Sequence, residues 1–115
     1  MAFTEWEDQV ARFQVEDLLK KRRPGPGLRN KLDLGYSIRG NSITIYEVRE
    51  VWNSPGKKRK SMIAKATFVR SKTEWKVFWQ RSDLKWHQYD PCPSVPVLSE
   101  FLELIDEDRH GCFWG

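Results

Sequence analysis

The sequence predicts an α+β protein: an N-terminal helix, an antiparallel β-meander of about five strands, and a C-terminal helix packed on one sheet face. Three observations carry this expectation. Thr4-Glu5-Trp6-Glu7 has the form of a capping box, which starts a helix. Met62, Ala64, Ala66 and Phe68 alternate with neighbours of another character, as do Trp75, Val77 and Trp79, which is the pattern of strands with one buried face. Leu98, Phe101, Leu102 and Ile105 recur at helical core spacing.

Taken in order, the first helix spans about residues 4–22. Trp6, Val10 and Phe13 lie near one side and Ala11, Val15, Leu18 and Leu19 near another, so a wide apolar sector is expected. Lys20, Lys21, Arg22 and Arg23 suit the negative end of the helix dipole, and the Pro24-Gly25-Pro26-Gly27 linker (24–27) ends the helix. The sheet follows over about residues 32–90. Gly40-Asn41 is a two-residue hairpin signal that sets Ile38 opposite Ile43 and Tyr36 opposite Ile45. Beyond that point the apolar phase changes at Tyr46, Val48 and Trp52, which a β-bulge near 46–48 would reconcile.

Asn53 to Lys60 reads as a long, exposed, basic connection. A turn centred on Ser71-Lys72 then sets Phe68 opposite Trp75, Ala66 opposite Val77 and Ala64 opposite Trp79, small residues against large ones. A second turn centred on Ser82-Asp83, or a four-residue loop of the same register, sets Trp79 opposite Trp86, Phe78 opposite His87 and Lys76 opposite Tyr89. On this reading Trp75, Trp79 and Trp86 are core. The other face carries Lys65, Thr67, Lys76, Phe78, Gln80, Lys85, His87 and Tyr89. After Pro91-Cys92-Pro93 the last helix covers about 95–107.

Length and composition bound the function. A chain of 115 residues with 39% hydrophobic content fits one domain, residues 1–115, which buries roughly 60 to 70% of the surface its unfolded chain exposes. No apolar run approaches the roughly 18 residues of a membrane span, and acids stand in MAFTEWEDQV where a secretory signal carries bases. The expectation is a cytoplasmic protein with no membrane association and with Cys92 and Cys112 as free thiols. The net charge of +4 is unevenly spread: seven basic residues and no acid lie between Lys57 and Lys72, while Glu100, Glu103, Asp106, Glu107 and Asp108 crowd the end. Such asymmetry orients a polyanion on approach.

The stretch AKATFVRSKTEWKVFWQRSDLKWHQYDPCP and the terminal DEDRHGCFWG resemble a small bacterial family catalogued as domain of unknown function 3024, through the pattern W-x-x-x-W-x-R-x-D-L-K-W-H. The resemblance covers most of the chain. It implies a bacterial, single-domain setting and brings no activity with it.

The residues themselves suggest a non-enzymatic binding module for single-stranded nucleic acid or another polyanion. Lys57, Lys58, Arg59, Lys60, Lys65, Lys76 and Lys85 would meet phosphates, with Phe78 and Tyr89 beside them for stacking and His87 on the same face. The rival reading gives the same face to a protein partner or to a second copy of the chain. A third takes Arg81, His87 and Tyr89 as phosphate and proton handlers of a toxin-like ribonuclease, a similarity at fold level only. His87, Cys92, His110 and Cys112 are the right types for tetrahedral zinc, but the spacing is not that of a zinc finger, so neither metal nor cofactor is expected. The carboxylates at 103 and 106–108 invite a compensating cation or a basic partner, or simply end a solvated helix. No P-loop, GxGxxG, GxSxG, HExxH or EF-hand pattern occurs.

Overall fold

The computed structural model describes residues 3–29, 31–54 and 56–114. Helix α1 (Glu5–Arg22) opens on the expected capping box: the Glu7 amide donates to Thr4 Oγ1 at 3.2 Å and the Thr4 amide donates to Glu7 Oε1 at 2.9 Å. Its buried side is Ala11, Val15, Leu18 and Leu19, whereas Trp6 and Phe13 are exposed, so the apolar sector is narrower than expected. A 3-10 turn at Pro26–Leu28 leads to strands β1 (Leu32–Arg39), β2 (Ser42–Glu50), β3 (Lys58–Val69), β4 (Glu74–Gln80), β5 (Trp86–Gln88) and β6 (Ser94–Val95). Helix α2 (Leu98–Glu107) closes the chain.

The strands β1 to β5 form an antiparallel meander in chain order, and β6 joins the outer edge of β4 beside β5. Pro91 and Pro93 lack the N–H a continuous ladder needs, which divides that edge into two short pieces. The link between them is still tied to β4, since Val77 donates to Pro93 O at 2.9 Å and Tyr89 donates to Val77 O at 3.0 Å.

The first hairpin has the expected register, Ile38 with Ile43 and Tyr36 with Ile45, about Gly40 at φ 57°. The irregularity near residue 46 exists, but its extra residue lies on β3. Ile45 pairs with Ala64 and Tyr46 with Met62, which leaves Ile63 over. Strand β2 therefore keeps its phase. Glu47 continues the line of Ile43 and Ile45 as a buried carboxylate that accepts from Arg49 Nε at 2.7 Å, while Tyr46 and Val48 turn to the opposite face.

The third hairpin also has the expected register, Phe68 with Trp75, Ala66 with Val77 and Ala64 with Trp79, joined by residues 70–73 with Thr73 at φ 50°. The fourth departs from expectation. Trp79 pairs with His87, Phe78 with Gln88 and Gln80 with Trp86, a shift of one residue. The cause is the loop. Arg81 O accepts from the Leu84 amide at 2.8 Å, Leu84 is left-handed at φ 63°, and Arg81 donates to Lys85 O at 3.3 Å, the geometry of a three-residue loop. An odd loop puts each β5 side chain on the face opposite to that of an even one. Trp86 thus leaves the core and Tyr89 enters it.

Both helices pack on one face of the sheet. Ala11, Val15, Leu18 and Leu19 of α1 and Leu98, Phe101, Leu102 and Ile105 of α2 meet Ile43, Ile45, Ala64, Ala66, Trp75, Val77 and Tyr89 there. The chain end clasps this layer. Asp108, left-handed at φ 42°, caps α2 and accepts from the Phe113 and Trp114 amides at 3.1 and 2.8 Å. Phe113 is buried against Tyr89, and Trp114 donates from Nε1 to Ile105 O at 2.6 Å beneath the Arg22 guanidinium. No described helix is long and apolar enough to cross a membrane.

Candidate nucleic-acid interface

The second face of the sheet carries no helix among the described residues. Alternation along the strands brings its side chains into cross-strand rows. Ser37, Thr44, Lys65, Phe78 and Gln88 form one row, and Arg39, Ser42, Thr67 and Lys76 the next, with Ser42 Oγ 2.8 Å from Thr67 Oγ1. On the other side of the Lys65 row stand Tyr46, Met62 and Trp86, and then Val48 and Lys60.

Lysine and ring interleave on this face. The Lys65 ammonium lies 5.1 Å from the centres of both the Phe78 and Trp86 rings, and Lys60 lies 4.6 Å from the Tyr46 ring. Such contacts contribute roughly 0.5–1 kcal/mol each at exposed sites. The two rings withdraw Lys65 from water, and this desolvation lowers its pKa below the ordinary lysine value. Tyr46 also serves the sheet itself, because its ring covers Gly35, where an added Cβ would lie 2.7 Å from Cε1 and would have to push the ring aside.

The structure divides the residues singled out in the sequence. Lys65, Lys76 and Phe78 are on the open face as expected. Lys58, Arg59 and Lys60 belong to β3, not to a loop. Lys58 and Lys60 share the open face with Tyr46, while Arg59 stands opposite Arg49 with its side chain on the other side of the strand. Lys57 is exposed in the β2–β3 turn, where its amide donates to Ser54 O, and Lys85, expected on the open face, is exposed at the end of the loop before β5 in the phase of His87 instead. His87 and Tyr89 are corrections. Their phase is that of Trp79, the helix-covered side. His87 sits at the margin, its Nε2 2.8 Å from Asp83 Oδ2, in a turn where the Lys85 amide and His87 hold the Asp83 carboxyl below its usual range. Tyr89 is only 2% exposed, packed on Phe113, and its burial raises the phenol pKa. It cannot stack with a base. Of the ribonuclease-like trio, Tyr89 is buried and the Arg81 guanidinium lies 5.6 Å from the centre of the Trp79 ring.

Arg39, Tyr46 and Trp86 were missed. Tyr46 was legible: the hairpin about Gly40-Asn41 already pairs it with Gly35. Trp86 was not, because Leu84 carries no sequence mark of a left-handed residue.

Of the other groups considered for metal, Cys92 and His110 line one cavity beside Tyr89. Cys92 and Cys112 are free thiols, Cys92 near Ser94 O and Cys112 near His110 O, and no group of three or more His, Cys, Asp or Glu among the described residues could hold a metal ion. The acidic end of α2 is compensated from within: Arg22 lies 3.4 Å from Asp106, Arg109 lies 2.8 Å from Glu107, and Asp108 takes two backbone amides.

Fold and open face define a class, a two-layer α+β protein whose antiparallel sheet is covered by helices on one side only among the described residues. Residues 3–115 match the family model described as Domain of unknown function (DUF3024), and the chain belongs to that family. No curated protein and no solved structure matches it.

Proposed function

We propose that the open face binds single-stranded nucleic acid, with Lys58, Lys60, Lys65 and Lys76 meeting phosphates and Trp86, Phe78 and Tyr46 receiving bases. The observation that carries this reading is Lys65, held between two partly exposed rings on a face without a helix. A desolvated ammonium gains more from an arriving phosphate than a hydrated one does, and its transfer to that phosphate uncovers both rings for stacking. Acids on the same face stand at its margins: Glu50 opposite Lys58 at one end, Glu74 opposite Val69 at the other, and Asp33, ion-paired with Arg23, opposite Val48 on the edge strand β1.

Fluorescence anisotropy with labelled single-stranded DNA and RNA tests this. With four phosphates neutralised, affinity falls about fiftyfold between about 50 and 200 mM salt. Changing Lys58, Lys60, Lys65 and Lys76 to Ala flattens that slope. Trp86→Ala weakens binding about tenfold, in line with the roughly 1–3 kcal/mol of a stacked base, and leaves the slope nearly unchanged. Absence of binding at low salt, or binding indifferent to both changes, refutes the proposal and leaves the face to a protein partner.

A further inference from the structure

Helix α1 presents aromatic residues on the side turned away from the protein. Trp6 is 73% and Phe13 76% exposed, and with Lys20 they recur every seven residues, drifting only about 20° per heptad along the helix. This stripe lies opposite the buried Ala11, Val15, Leu18 and Leu19. A single exposed ring on a surface needs no explanation. Phe13 also lines a groove of about 270 Å³ between α1 and α2, where buried Leu18 and Leu102 lie beside exposed Asp17, Lys21 and Asp106.

The charges of α1 are opposed at its two ends: Glu5, Glu7 and Asp8 in the first turn, Lys20, Lys21 and Arg22 in the last. Most of them are engaged within the chain. Glu7 pairs with Arg70, Asp8 with Arg12, Arg22 with Asp106 and Lys21 with Asp17. Glu5 and Lys20 make no ion pair among the described residues and lie near opposite ends of the same exposed side.

We propose that this stripe is the contact between two copies of the chain, with α1 packed antiparallel on α1 of the partner about a two-fold axis at Phe13. An isologous contact requires a self-complementary patch. Here the axis sets Phe13 against Phe13, brings Trp6 of each copy beside Lys20 of the other and next to the groove, and places Glu5 against the Lys20-Lys21 end. Parallel packing would instead set like charges together. The pair associates through the helix layers, so both open sheet faces remain outward. The inference is independent of the nucleic-acid reading.

Sedimentation equilibrium on the full chain over a range of concentrations tests it. The contact is small, and the expected Kd is roughly 10–100 µM, as befits the low end of interface sizes. Phe13→Glu, a change at an exposed position that leaves the circular dichroism unaltered, should give monomer throughout. Glu5→Lys combined with Lys20→Glu should dimerise better than either single change, which a merely hydrophobic association would not do. A wild-type monomer at about 1 mM, well above that Kd, overturns the proposal, as does a dimer that survives Phe13→Glu or a double exchange with no recovery. Phe13→Glu should leave oligonucleotide affinity per chain unchanged, so the two proposals fail separately.

Discussion

The hairpins on either side of β4 share a strand and differ in one residue of loop. The β3–β4 loop has four residues, 70–73, and sets Ala64 and Ala66 under Trp79 and Val77. The β4–β5 loop has three, 82–84, and turns Trp86 outward while Tyr89 goes in. Since strand side chains alternate with period two, loop parity decides which aromatic serves the core and which the surface. One indole and one phenol exchanged roles through a single left-handed residue, Leu84.

The largest effect expected from this contrast is in stability. Tyr89→Ala removes a ring packed against Phe113 in the core and should cost about 3–5 kcal/mol, whereas Trp86→Ala on the open face should cost about 1 kcal/mol. Urea denaturation checks both. The reverse order, with Trp86→Ala the costlier change, would mean that the fourth hairpin has the even register after all.

A smaller effect tests the loops directly. Leu84 and Thr73 both hold positive φ, 63° and 50°, where a Cβ is strained. Leu84→Gly should stabilise by up to about 1 kcal/mol, and Thr73→Gly by a similar or smaller amount, offset in part by the entropy of the unfolded glycine. Thermal melts would show the gain. A loss at Leu84, which is 72% exposed and has little packing to forfeit, would contradict the left-handed turn.

The smallest effect separates the loops by pH. Arg70, at the start of the first loop, donates to Glu7 of α1 at 2.8 Å and, with the Thr4 amide, holds the Glu7 pKa down to about 2. A depressed carboxyl stabilises the fold above its unfolded pKa, so this contribution is present above about pH 4.5 and is lost as pH falls towards 2. In the second loop Asp83, lowered by the Lys85 amide and His87, acts with the same sign and is lost as pH falls below its ordinary 3.8. Glu7→Gln and Asp83→Asn should each flatten the acid limb of a stability–pH curve. Glu7→Gln should also loosen the first loop from α1, visible as faster amide exchange at residues 70–73; unchanged exchange there would show that Arg70 does not tether it.

Wherever a single local rule governed, the sequence by itself determined the outcome. The capping box started α1 at Thr4, Gly40-Asn41 set the first hairpin, and the small-against-large pairing of Ala64 and Ala66 with Trp79 and Val77 set the third. Lys65, Lys76 and Phe78 fell on the open face for the same reason, since alternation along a strand is a local property. The tertiary structure decided the rest. A bulge could be read near residue 46, but only cross-strand pairing shows that Ile63 on β3 absorbs it, which keeps Glu47 inside and turns Tyr46 out. The parity of the 82–84 loop depended on whether burying Tyr89 under Phe113, 24 residues later in the sequence, outweighs strain at Leu84. Periodicity places apolar residues on one side of an element without saying whether that side is covered. Trp6 and Phe13 have the spacing of a core stripe and lie in solvent because the sheet already meets Ala11, Val15, Leu18 and Leu19.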